Sequence, residues 1–139
     1  MVRRVRADPD DGSRFWLHTS DMPPVRMLVV DDHEGFRAVA RALLESEGLR
    51  VVGEAGDGRR AVAAARQLAP DLVLLDVHLP DLDGFEVSRL LALLPIPPVV
   101  VLTSSRSVAD LRRRIDDSPV AGFVTKDQLS SAALLELAG

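Results

Sequence analysis

Three unbroken apolar blocks, Met27-Leu28-Val29-Val30, Leu72-Val73-Leu74-Leu75 and Val99-Val100-Val101-Leu102, constrain this chain more than any other feature. Runs this short that never alternate with polar residues suit strands covered on both faces, the condition of a parallel sheet between two layers of helices. Val51-Val52-Gly53-Glu54 and Ala121-Gly122-Phe123-Val124 are weaker, interrupted strands. The segments between them carry apolar residues at helical spacing: Phe36, Val39, Ala40, Leu43 and Leu44; Ala61, Val62, Ala65, Leu68 and Ala69; Val87, Leu90, Leu91 and Leu94; and Val108, Leu111 and Ile115. A fifth, short helix is expected from Leu129 to Leu137. Strict alternation of strand and helix predicts an α/β domain with a doubly wound, five-stranded parallel sheet and five helices. If the three fully apolar strands are interior, the second and fifth are edges. Right-handed crossovers then give the order 2-1-3-4-5, whose ligand crevice lies beyond the carboxyl ends of the strands.

Composition narrows the class further. A chain of 139 residues suits one domain, and the absence of cysteine excludes thiol chemistry, a zinc finger and a disulfide scaffold. The net charge of −4 argues against a protein built to hold nucleic-acid backbone. There is no apolar run long enough to span a membrane, so neither a span nor a membrane partner is expected. Residues 1–24 show neither helical nor strand period and end in Pro23-Pro24, which predicts a flexible N-terminal extension before a folded unit at 25–139. Met1 and Met22 are both candidate starts. Of the 17 basic residues, Lys126 is the single lysine; the rest are arginine.

The predicted sheet collects polar residues at one edge. Strand one runs into Asp31-Asp32, strand three into Asp76, strand four into Thr103, and Lys126 follows strand five. Neighbouring strands lie about 4.8 Å apart, so carboxylates from strands one and three should approach within roughly 5 Å. At that distance they repel by about 3 kcal/mol at an effective dielectric near 20. A cation is required there, and one lysine ammonium does not balance three carboxylates. A hard divalent ion with oxygen ligands does, and Mg²⁺ is the natural candidate. Each residue also has a plainer reading: aspartates cap helices and form turns, Thr103 followed by Ser104 and Ser105 could cap the next helix, and Phe123 could be core. Their joint arrival at one edge favours a site. His33 and His78 flank the acids and read as partly exposed loop residues, with no second imidazole spaced for a two-histidine metal site.

Taken in order and spacing, Val30-Asp31-Asp32-His33-Glu34, Leu75-Asp76-Val77-His78-Leu79-Pro80-Asp81-Leu82-Asp83-Gly84, Leu102-Thr103-Ser104 and Gly122-Phe123-Val124-Thr125-Lys126-Asp127 resemble the receiver domain of two-component response regulators, over about residues 25 to 138. The resemblance implies a flavodoxin-like fold and phosphorylation of Asp76 by a sensor histidine kinase or phosphotransfer protein. It implies Mg²⁺ held by Asp32, Asp76 and the backbone carbonyl of His78, with Asp31 supporting the ion through water. Thr103 and Lys126 would bind the phosphoryl oxygens, and Phe123 would be the aromatic that turns as a switch, changing the face of the fourth helix, fifth strand and fifth helix. Gly84 is expected to adopt a conformation that a side chain resists and to allow close approach to the third helix.

The stretch Gly48 to Gly58 is similar to receivers that precede LuxR-type helix-turn-helix outputs, yet the chain ends thirteen residues after Lys126, so no DNA-binding domain lies within it. A downstream protein target or an output domain outside this sequence is the expected recipient of the signal. A homodimer formed on phosphorylation is a further expectation, and the absence of cysteine makes a reducing compartment, here the cytoplasm, the default. Three other readings compete. A flavin-binding module of the same topology would need a Ser/Thr/Gly-rich phosphate loop after strand one, which this chain lacks, and only Trp16 offers a large stacking ring. A Mg²⁺-dependent phosphatase with an aspartate nucleophile would carry D-x-D-x-T after strand one, where Asp31-Asp32-His33-Glu34-Gly35 stands. A degenerate receiver that only binds partners would lack an acid or the lysine, and none is missing. The expectation is a signalling phospho-acceptor and not an enzyme.

Overall fold

The computed structural model describes residues 23–105 and 111–139. The order of elements is β1 (Arg26–Val30), α1 (Glu34–Ser46), β2 (Arg50–Ala55), α2 (Gly58–Leu68), β3 (Leu72–Asp76), α3 (Gly84–Ala92), β4 (Val99–Ser104), α4 (Arg112–Asp116), β5 (Gly122–Thr125) and α5 (Ser131–Ala138). All pairings are parallel, and the strands lie in the order β2-β1-β3-β4-β5, as expected from the apolar blocks. Residues 1–22, which make up most of the expected extension, and Val108 of the expected fourth stripe lie outside the described residues.

The three central strands sort their side chains by period two. Leu28, Val30, Val73, Leu75, Val100 and Leu102 join one core with Ala61 and Ala65 of α2 and Phe85, Val87 and Leu91 of α3; Ile115 of α4 packs against it. Met27, Val29, Leu72, Leu74 and Val101 join the other core with Ala40 and Leu44 of α1 and Leu134 of α5. Every residue from Leu72 to Leu75 is shut from solvent, each contributing roughly 1.5–3 kcal/mol of hydrophobic burial.

Some expected stripe positions do not hold. Val39 and Leu90 are 65% and 41% exposed, because α1 and α3 turn narrower faces to the sheet than their apolar content allows. The last helix starts at Ser131, later than Leu129, because Lys126–Gln128 form a 3₁₀ turn and Ser130 caps Ala133 N–H through its hydroxyl. Gly84 serves close approach alone: a Cβ there would stand 2.6 Å from the Asp76 carbonyl oxygen, and its φ is not positive.

Candidate functional site

Period two also decides where the polar residues fall. Asp31, Asp76 and Thr103 stand two positions beyond Val29, Leu74 and Val101, and Lys126 two beyond Val124, all members of the core shared with α1 and α5. Continued past the strand ends, that face therefore carries the site. Asp31 and Thr103 are fully buried and Asp76 is 3% exposed, whereas Asp32 opens to solvent.

Ligating atoms of Asp31, Asp32, His33 and Asp76 all lie within 4.8 Å of one another, in line with the separation expected from strand spacing. Lys126, delivered from the β5 edge, places Nζ 2.6 Å from Asp31 Oδ2 and 3.5 Å from Asp76 Oδ2. Two carboxylates contact the ammonium and Asp32 stands beside them, so with all three ionised the cluster is about two charges negative. Burial first, then the neighbouring Asp31 charge, push the Asp76 carboxyl above the ordinary aspartate value; the His78 N–H donated to Asp76 Oδ1 at 3.2 Å and the Lys126 charge offset part of this. Burial opposes the Lys126 ammonium, but Asp31 and Asp76 outweigh it and hold its pKa above the usual lysine value.

Thr103 is the register partner of Asp76, and its buried Oγ1 has no hydrogen-bond partner among the described residues. A buried hydroxyl in that condition is unfavourable unless a group arrives to bond it. Phe123 pairs in register with Leu102, is partly buried, and packs against the core shared with α2 and α3. His78 is exposed, while the loop that carries it is drawn tight by Val77 N–H donating to Thr103 O at 3.0 Å and Gly84 N–H donating to Val77 O at 2.7 Å.

Two neighbours were not legible beforehand. His33, read as a loop residue, sets Nδ1 3.2 Å from Asp31 Oδ1 and 3.1 Å from Asp32 Oδ1 although its side chain is largely exposed. Phe36, read as helix stripe, lies with its ring centroid 4.5 Å from Lys126 Nζ. Adjacency of His33 to the acid pair was a signal for the first; for the second there was none, since residues 36 and 126 are joined only by the fold.

The family model described as the response regulator receiver domain matches residues 27–138. The chain belongs to the response regulator receiver domain family. Among relatives of this receiver, the Bordetella pertussis protein named virulence factors putative positive transcription regulator BvgA is 38% identical over 103 residues, covering 74% of this chain and 49% of that protein. The Mycobacterium tuberculosis transcriptional regulatory protein PdtaR is 39% identical over 103 residues, covering 74% and 50%. This receiver therefore spans about half the length of the curated relatives it matches. Among solved structures, the signal receiver domain of the putative response regulator NarL from Mycobacterium tuberculosis superposes with a TM-score of 0.74 at 34% identity, covering 83% of this chain and 96% of that one. The response regulator domain of Thermotoga maritima CheB gives 0.69 at 32% identity, covering 84% and 89%. Among the described residues of the receiver, no helix is long and apolar enough to cross a membrane.

Proposed function

We propose that Asp76 accepts a phosphoryl group from a histidine kinase or phosphotransfer protein. The observation that carries this reading is the Lys126 ammonium set between Asp31 and Asp76, with the buried hydroxyl of Thr103, register partner of Asp76, left without a hydrogen-bond partner among the described residues. An Asp76 carboxylate oxygen attacks the phosphorus of a phosphohistidine on the donor. The O–P bond forms as the P–N bond breaks, and the electron pair leaves with the donor's imidazole nitrogen, which takes up a proton. Lys126 and the Thr103 hydroxyl then hold the phosphoryl oxygens, positioned before transfer and needing little reorganisation.

The donor set fits Mg²⁺: carboxylate oxygens of Asp32 and Asp76 with the His78 carbonyl would hold it, and Asp31 would act through water. Bound there, the ion supplies the charge neutralisation that phosphoryl transfer requires. Movement of the Thr103 hydroxyl toward the new oxygens would let Phe123 turn inward and change the face of α4, β5 and α5. Read this way, residues 25–139 are the receiver and 1–24 an extension. The domain works in the cytoplasm, passing its signal to a protein target or an output domain, with phosphorylation-dependent homodimerisation as one route.

Incubation with acetyl phosphate and Mg²⁺ tests the assignment. Intact mass should show an adduct of about 80 Da on the wild type and none on Asp76→Asn. An equal gain by the substituted protein, or none by the wild type, overturns it.

A further inference from the structure

Lys126 has a neighbour besides its two carboxylates. Its Nζ lies 4.5 Å from the centroid of the Phe36 ring, inside the range in which an aromatic face attracts an ammonium. Phe36 is the third residue of α1, the helix that begins at Glu34 with His33, next after Asp32, as its N-cap, and it is partly buried against the core shared with α5. The helix launched from the acidic cluster thus brings a ring to the lysine that arrives from the far edge of the sheet. Asp31 at 2.6 Å and Asp76 at 3.5 Å attract the ammonium from the acidic side, and a flexible four-carbon stem does little to fix it in other directions. The ring supplies that restraint and excludes water from part of the ammonium, whose side chain is only 18% exposed.

The geometry points to Phe36 as a positioning residue for Lys126, its ring face holding the ammonium where it meets phosphoryl oxygens on Asp76. This rests on the reading of Asp76 as phospho-acceptor. Aromatic character is what the role needs, because leucine or methionine fills similar space without the negative ring face.

Lys126 is the single lysine of the chain, so lysine labelled with ¹³C at Cε gives one side-chain signal in NMR, apart from any in an added tag. In the unphosphorylated wild type the Lys126 ε-methylene protons should be displaced by the ring current, and Phe36→Leu should return them to the free-lysine position. The acetyl phosphate reaction should slow at least about threefold in Phe36→Leu, the low end for a partly desolvated cation–π contact, and recover in Phe36→Trp. Phe36→Met replaces the leucine variant if that one fails to fold. An undisplaced signal in the wild type, or equal rates in the leucine and tryptophan variants, overturns the proposal. A wild type that gains no adduct overturns the phospho-acceptor reading and the role in transfer with it, while the lysine signal still decides whether the ring holds the ammonium.

Discussion

Asp31 and Asp76 are nearly closed to water with one ammonium between them, so the unphosphorylated site holds repulsion that a ligand would relieve. The sign of the pH effect follows from Asp76, whose carboxyl is held above its ordinary value by burial and by Asp31. Between the unfolded and folded values the native state binds more protons, so stability falls as pH rises through that window and the penalty is complete above it. Asp76→Asn should therefore melt higher than wild type at pH 7, by roughly 3–6 °C, and the gap should close below the ordinary aspartate value. Calorimetry at the two pH values checks this, and equal melting at pH 7 would count against it. Lys126→Arg keeps the charge but replaces a compact ammonium by a planar fork. Phosphorylation by acetyl phosphate should slow at least about tenfold, a barrier change of ~1.4 kcal/mol, as read by mass spectrometry over time. Placement of these residues was legible because strand period alone carries Asp31, Asp76 and Thr103 to one face. The ring of Phe36 was not, since its position depends on how α1 is rotated against the sheet.

The loop between β3 and α3 ties down the helices on both sides of it. Asp81 accepts from Gly58 N–H at 2.7 Å and Arg59 N–H at 3.0 Å, capping α2 from another part of the chain. Asp83 closes a capping box with Glu86 and pairs with Arg114 Nη2 of α4 at 2.8 Å, while that guanidinium stacks 4.2 Å over buried Phe85. No residue within α4 itself is fully buried, so this contact adds to the partial packing of Ile115 in anchoring the helix. Arg114→Ala is expected to speed hydrogen exchange at Ile115 and Asp117, whose amides bond back to Leu111 and Arg113, while leaving α1 amides unchanged. On the opposite face Glu54 receives Arg37 at 3.0 Å and Arg41 at 2.8 Å, and the Arg41 hydrogen bond chiefly holds its carboxyl below the usual glutamate value. A lowered acid stabilises above its unfolded pKa and loses that contribution as pH falls through the folded one. Denaturation of wild type and Glu54→Gln should differ by under about 1 kcal/mol at pH 7 and converge once the pH has fallen below the lowered Glu54 value. The helical stripes announced which elements would pack, but Val39 and Leu90 came out exposed because rotation about the helix axis is a tertiary choice.

At the scale of the whole molecule, the proposed Mg²⁺ site would link ligand binding to folding through the carboxyl edge of the sheet. Mg²⁺ bound only by the folded domain should raise its melting point, by the equivalent of about 2.7 kcal/mol at a hundredfold excess over the dissociation constant. Asp32→Asn should lose most of that rise, and lowering the pH toward protonation of Asp76 should abolish it; a rise that survives both would place the ion elsewhere. Strand order and the edge that gathers Asp31, Asp76, Thr103 and Lys126 were readable from the chain because they follow from short-range rules: residue period, apolar run length and crossover hand. Contacts between distant positions were not. Lys126 meeting Phe36, Arg114 meeting Asp83, and Asp81 capping Gly58 each depend on helix rotation and rotamers set by the packed core, which no local pattern encodes.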